Sequence, residues 1–163
     1  MRPNVWLPSH PRTYSAPRAR RTEDQEPVPA DREAIAAAIT ACRAADDKHA
    51  SDLVVIDVAD LLALVDIFVL ASARTDRQLK AVAESIEEAL RSEGRRPLRR
   101  EGTPESGWYL LDYGDLVCHI FDEEQRTFYA LERLWADVPQ LDPLTGEQLA
   151  PGQRASAVGE ASG

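Results

Sequence analysis

Asp112, Asp115 and His119 fall within one short stretch, GWYLLDYGDLVCHIF (residues 107–121), and are of types that do acid–base or metal chemistry. Paired carboxylates can hold Mg²⁺ for phosphoryl or nucleotidyl transfer, while a glycine-rich loop holds the phosphates. Asp57, Asp60 and Asp66 lie near the ends of apolar runs and are placed to complete such a site. The remaining machinery is not there. The chain contains no G-x-x-x-x-G-K-[ST], no G-x-G-x-x-G, no H-E-x-x-H and no G-x-S-x-G. The segment ASARTDRQ, after the second apolar run, has no glycine, and His119 has no second histidine near it in sequence. These residues therefore read as part of a surface that another molecule contacts. No enzyme activity, cofactor or metal is expected.

The elements that must position them begin with a β-hairpin. With Tyr113 and Gly114 as its two turn residues, Leu111 faces Leu116 and Trp108 faces His119. Alternation then sorts the side chains onto two faces. Tyr109, Leu111, Leu116, Cys118 and Ile120 form a wholly apolar face, assigned inward. Trp108, Leu110, Asp112, Asp115, Val117, His119 and Phe121 form a mixed face, assigned outward, with Asp112 and Asp115 opposed at the tip. Like charges across a strand pair are destabilising unless a cation meets them. Trp108, Leu110, Asp112, Tyr113, Asp115 and His119 are thus the candidate partner-binding residues, an aromatic anchor with a charged rim.

Around the hairpin the sequence predicts α-β-β-α-β-β-β-α. Asp31 is placed to cap a helix in which Ile35, Ala38, Ile39 and Cys42 recur at helical spacing. DLVVIDV (52–58) and DIFVLAS (66–72) are buried strands, with Leu61, Leu62 and Leu64 between them packed on the same core. Thr75 and Gln78 have capping-box spacing before a helix with Leu79, Val82, Ile86 and Leu90 inward, and Gly94 ends it. RPLRREG (96–102) is an edge strand, because Pro97 has no N–H for a ladder. DEEQRTFYALERLW is a closing helix with Phe128, Leu131, Leu134 and Trp135 inward. The fold class is α+β, a mixed sheet of about five strands flanked by helices.

Composition bounds the rest. The 163 residues carry 19 Lys+Arg against 28 Asp+Glu, a net charge of −9. Such a chain is a poor candidate for wrapping nucleic acid, since phosphate binding depends on concentrated cations. No direct sequence-specific nucleic-acid binding is expected, and a basic protein partner suits it better. No apolar run is long enough to cross a membrane. Cys42 and Cys118 read as reduced, buried thiols. Residues 1–29, with six prolines and five arginines before the first acid, read as a disordered extension, with an organellar transit peptide as the alternative. Residues 30–138 form the domain, and 139–163, rich in Pro, Gly, Ala and Ser, a flexible tail.

Three segments together resemble the ribosomal silencing factor (Iojap) family: ADLLALVDIFVLASARTDRQLKAVAESI, EGTPESGWYLLDYGDLVCHIF and EEQRTFYALERLW. The resemblance spans about residues 33–138. Its most specific parts are Asp66-Ile-Phe-Val, Arg77-Gln78, Glu101-Gly102, Trp108, Asp112 with Gly114-Asp115, His119-Ile-Phe121 and Arg126-Thr-Phe128-Tyr129. Ala73 and Arg74 depart from a family pattern that usually has glycine, and often asparagine, after the second strand. The resemblance implies a nucleotidyltransferase-like fold without a working active site. It also implies binding to the large ribosomal subunit through a ribosomal protein on the subunit-joining face, blocking the small subunit and repressing translation under nutrient limitation. A cytoplasmic, bacterial setting is expected, with an organellar one as the alternative. A metal-dependent nucleotidyl or phosphoryl transferase and a homodimeric interaction scaffold are the competing readings.

Overall fold

The computed structural model describes residues 30–130, 133 and 137–150. Asp31 accepts a hydrogen bond from the Glu33 N–H at 3.2 Å and caps α1, Arg32–Asp47, as its position before the apolar repeat predicts. The buried face of α1 is six alanines and Cys42. Side chains this short let the helix lie close against its neighbours without losing helix propensity. Strand β1 (Ser51–Asp57) pairs antiparallel with β2 (Ile67–Ala73). Helix α2 (Asp76–Ser92) follows, and Thr75 accepts from the Gln78 N–H at 3.0 Å. The Gln78 side chain does not return to Thr75, as a capping box requires. Its Oε1 accepts from the Arg74 N–H, and its Nε2 donates to the carbonyls of Lys48 and His49. One amide thereby ties the start of α2 to the end of α1.

After α2 come β3 (Arg99–Thr103), a 3₁₀ turn (Pro104–Ser106), β4 (Trp108–Asp112) and β5 (Leu116–Asp122). Helix α3 (Glu123–Tyr129) and β6 (Gln140–Leu141) complete the described chain. The strands form one sheet in the order β3-β4-β5-β2-β1-β6. β2 and β5 are parallel and the other pairs antiparallel, so the sheet is mixed and the α+β class holds. β3 lies at an edge, as expected, but it starts at Arg99, so Pro97 precedes the strand and stays outside the ladder. The sheet has six strands where five are expected, because β6 comes from residues read as the start of a flexible tail. Leu141 pairs with Val55 and is buried, and the Asp57 N–H donates to the Pro139 carbonyl at 2.9 Å.

Both faces of the sheet are covered. Helices α1 and α2 pack on one face against Val69, Ala71, Tyr109, Leu111, Leu116, Cys118 and Ile120. On the other, Leu62, Val65, Tyr129 and Val138 pack with Ile56, Phe68, Leu70, Trp108, Leu110, Val117 and Phe121. Of the three leucines expected inside between β1 and β2, only Leu62 is buried; Leu61 and Leu64 are exposed. Phe128, also expected inward, points to solvent, while Leu131, Leu134 and Trp135 lie outside the described residues.

Gly102 sets the distance between β3 and β4. Its φ is +99°, and a Cβ there would lie 2.0 Å from the Trp108 carbonyl oxygen. Backbone cannot retreat as a flexible side chain does. Gly102→Ala is expected to destabilise the domain by roughly 2–3 kcal/mol, at the high end for one substitution. An unchanged urea midpoint for that variant would refute this account of the edge.

Candidate interaction surface

The hairpin turns one residue later than the sequence reading places it. The Tyr113 N–H donates to the Leu116 carbonyl at 2.8 Å, leaving Gly114 and Asp115 as the central residues, with Gly114 at φ +91°. Glycine at the first central position is the signature of a tight hairpin turn. Asp112 therefore faces Val117, Leu110 faces His119, and Trp108 faces Phe121. The slip along the partner strand is two residues, so the strand side chains stay on their predicted faces, while Asp115 moves into the turn and Tyr113 joins the inward face. The opposed pair Asp112/Asp115 is not formed.

The second face is not an outer face. Trp108 is 6% exposed and His119 0%, and Leu110 and Asp112 are also buried; Tyr113 is buried too, but on the helix-covered face. His119 stacks between the rings of Trp108 (6.4 Å) and Phe121 (5.9 Å), with Phe68 edge-on at 5.5 Å. The Trp108 Nε1–H donates to His119 Nδ1 at 3.4 Å, so that nitrogen is the unprotonated acceptor. Burial lowers the imidazole pKa from its ordinary 6.5 to about 3. This histidine is a neutral core residue, and neither it nor Trp108 offers a surface to a partner.

The two acids at the tip are met from within the chain. Asp115 accepts from both terminal nitrogens of Arg95, each at 2.9 Å, in the bidentate arrangement a guanidinium fork favours. Asp112 accepts from the Gly114 N–H at 2.8 Å and lies 3.9 Å from Arg99. Beside them the Tyr113 hydroxyl has no hydrogen-bond partner among the described residues, and burial pushes its pKa up. The alternative metal carboxylates have structural partners too. Asp57 accepts from the N–H groups of Ala30 and Ala59, and Asp66 from that of Asp31, which together pin the start of α1 to the sheet. Burial raises the Asp57 pKa, with the charges of Asp66 and Asp60 adding to it and the two N–H bonds opposing. Among the described residues no group of three or more His, Cys, Asp and Glu comes together to hold a metal.

An exposed aromatic does exist nearby, where the sequence places an inward one. Asp122 caps α3 through the Gln125 N–H at 2.7 Å. The buried side of the helix is Arg126, whose Nη1 donates to the buried Ser72 hydroxyl at 2.8 Å, together with the partly buried Tyr129. Phe128 is consequently turned outward and is 74% exposed, with Glu123, Glu124 and Thr127 exposed beside it. The Phe128 ring contacts Tyr129 edge-on at 4.9 Å, and Tyr129 lies 6.0 Å from Phe121. A continuous aromatic series thus runs from the buried Trp108–His119 pair to the surface. A buried arginine hydrogen-bonded to a strand serine is the feature that rotates α3, and an apolar-periodicity reading assigns arginine to the solvent side.

The family described as "Ribosomal silencing factor during starvation" matches residues 31–162. The chain is 35% identical over 102 residues to "Ribosomal silencing factor RsfS" of Bacillus subtilis, covering 63% of this chain and 86% of that protein. It is 27% identical over 148 residues to the mouse "Mitochondrial assembly of ribosomal large subunit protein 1", covering 80% of this chain and 65% of that one. The fold is similar to a crystal structure of a Chromobacterium violaceum protein, with a TM-score of 0.61 and 26% identity. That match covers 76% of this chain and 95% of that one. No helix among the described residues is long and apolar enough to cross a membrane.

Trp108→Ala is expected to cost about 3–5 kcal/mol of stability, as emptying a buried indole site does, measured by chemical denaturation. A loss under about 1 kcal/mol would contradict the packing described. His119 makes stability pH-dependent. Its folded pKa, about 3, lies below the unfolded 6.5. The unfolded chain therefore binds the proton first, so stability is full above pH 6.5 and is lost as pH falls towards 3. Between pH 6.5 and 5 the loss is about 1 kcal/mol per unit. His119→Gln, which keeps an acceptor for the indole N–H, should show a slope shallower by about one proton; equal slopes would contradict a buried neutral imidazole.

Proposed function

The chain belongs to the ribosomal silencing factor (Iojap) family, and from that premise we propose that it binds the large ribosomal subunit through a basic ribosomal protein on the subunit-joining face. Bound there, it blocks association with the small subunit and represses translation under nutrient limitation, in the cytoplasm. The observation that carries this reading is the family match over residues 31–162. The name of the mouse relative, which places that protein in assembly of the ribosomal large subunit, supports the choice of subunit. The net charge of −9 supports a basic partner through steering and complementary potential.

The factor works by occupying a surface and not by catalysis. Of the candidate metal carboxylates, Asp57 and Asp66 hold the start of α1 and Asp112 and Asp115 hold the hairpin turn. The contact centres on α3, where Phe128 stands exposed beside Glu123 and Glu124. An aromatic ring with an acidic surround is the complement of a basic protein surface with an apolar hollow. Trp108 and His119 contribute from beneath, through the rings of Phe121 and Tyr129, and not by contact.

Phe128→Ala is expected to weaken co-sedimentation with purified large subunits by about 2 kcal/mol, roughly thirtyfold, as a central aromatic anchor does. Stability should stay within about 0.5 kcal/mol of wild type, because the ring is already in solvent. Glu124→Arg should weaken binding and reduce its sensitivity to salt. Wild-type affinity in both folded variants would move the contact away from α3. Failure of the unmodified protein to inhibit reassociation of purified subunits on a sucrose gradient would refute the function itself.

A further inference from the structure

The corner where α2 ends and β3 begins departs from the charge of the rest of the molecule. Residues 91–100, RSEGRRPLRR, contain five arginines and one acid, Glu93, in a chain whose net charge is −9. Three of the arginines are occupied. Arg95 is held by Asp115, Arg100 lies 3.3 Å from Glu87 and over the Tyr109 ring, and Arg99 makes looser contacts with Glu101 and Asp112. Glu93 accepts a hydrogen bond from the Thr40 hydroxyl at 2.7 Å. Arg91 and Arg96 are exposed, and their side chains have neither an ion pair nor a hydrogen bond among the described residues. The one acid within 91–100 is therefore already engaged, and two exposed guanidiniums remain without an ion pair or hydrogen bond among the described residues.

We propose that Arg91 and Arg96 form a phosphate-binding corner that contacts the sugar–phosphate backbone of structured RNA, without sequence preference. The proposal rests on the large-subunit reading above and names a second, chemically different contact for the same factor. Guanidinium is the side chain best matched to phosphate, because its planar fork can donate two parallel hydrogen bonds to two oxygens. The overall negative charge does not forbid this. At physiological ionic strength charges more than about 8 Å apart are largely screened, so a phosphate at this corner responds to the nearest cations. The chain that carries them is held in place: Asp115 anchors the neighbouring Arg95 bidentately, Asp112 draws in Arg99, and the Leu98 Cδ1 closes over Gly114, 3.3 Å from where a Cβ would stand. The hairpin acids thus organise a basic corner out of one stretch of chain. A factor with an acidic face for protein and an arginine corner for RNA suits a ribosomal surface, where both lie side by side.

The test compares the full chain with R91Q/R96Q, and with R77Q/K80Q as a control of equal charge change at the opposite end of α2. Binding is measured to protein-free large-subunit ribosomal RNA by filter retention, and to intact large subunits by co-sedimentation, both across a KCl series. The expected result is weak RNA binding by the wild type and control. In R91Q/R96Q it should fall roughly tenfold at low salt, with a log–log salt slope shallower by about 1.4–1.8, the loss of two phosphate contacts. Melting temperatures should be unchanged, since neither side chain has a partner to lose. RNA binding absent in the wild type, or unchanged in R91Q/R96Q, overturns the proposal. Loss of subunit binding with RNA binding unchanged also overturns it and assigns the corner to an acidic protein face. Arginine-dependent RNA binding without any binding to intact subunits would uphold the corner while refuting the silencing reading.

Discussion

The parallel pairing of β2 with β5 constrains everything else in the structure. It runs from Ile67 opposite Leu116 to Ala73 opposite Asp122, and every residue of β2 is buried. A strand pair with no face left for water must be covered twice. Helices α1 and α2 supply one cover, and the alanine face of α1 allows it to sit close. The second cover is assembled from pieces: Leu62 and Val65 before β2, Tyr129 at the end of α3, and Val138 ahead of β6. The chain must therefore come back to the sheet after α3, and on arrival it adds β6 beside β1. What reads in sequence as the beginning of a loose tail is part of that return.

The same burial dictates the chemistry of the polar groups on the second face. His119 is neutral because burial between Trp108 and Phe121 disfavours its charged form, and the indole N–H donates to its unprotonated nitrogen. The Ser72 hydroxyl, equally buried, accepts from Arg126 and so fixes the rotation of α3. A strand serine thus decides which side of a helix meets solvent. Polar atoms in a core contribute little net stability when satisfied and cost heavily when not, so they select among packings that hydrophobicity alone leaves open.

Much of this was legible in the sequence. Asp31, Thr75 and Gly94 mark helix ends by local stereochemistry, and each acts where its neighbours indicate. The hairpin faces were legible too, because a turn displaced by one residue preserves alternation. Whether the second face met water was not, since a set such as Trp108, Leu110, Val117, His119 and Phe121 suits an interface as well as a core. The clue lay in the near-continuous apolar runs IFVLASA and LVCHIF, each interrupted by one polar residue, which mark strands buried on both sides. The partner of Asp115 was beyond local reading altogether. Arg95 is twenty residues away in sequence, and only the placing of α2 against the hairpin brings the fork to the carboxylate. Periodicity failed at Phe128 for a related reason: it takes arginine for a surface residue, and Arg126 is buried.

These corrections change what kind of surface the domain presents. Acids at a turn, read alone, invite an external cation; here they are consumed in orienting arginines, so the tip of the hairpin belongs to a basic corner. An exposed tryptophan would be a mobile anchor on an open sheet. In its place the surface offers Phe128, backed by Tyr129, Phe121, His119 and Trp108 in successive ring contacts. A side chain supported in this way loses less freedom on binding than one on a flexible loop, which lowers the entropic cost of association. The residues that carry the family resemblance are in large part those that build this support. Trp108 and His119 reach that surface only through this ring packing and are themselves buried.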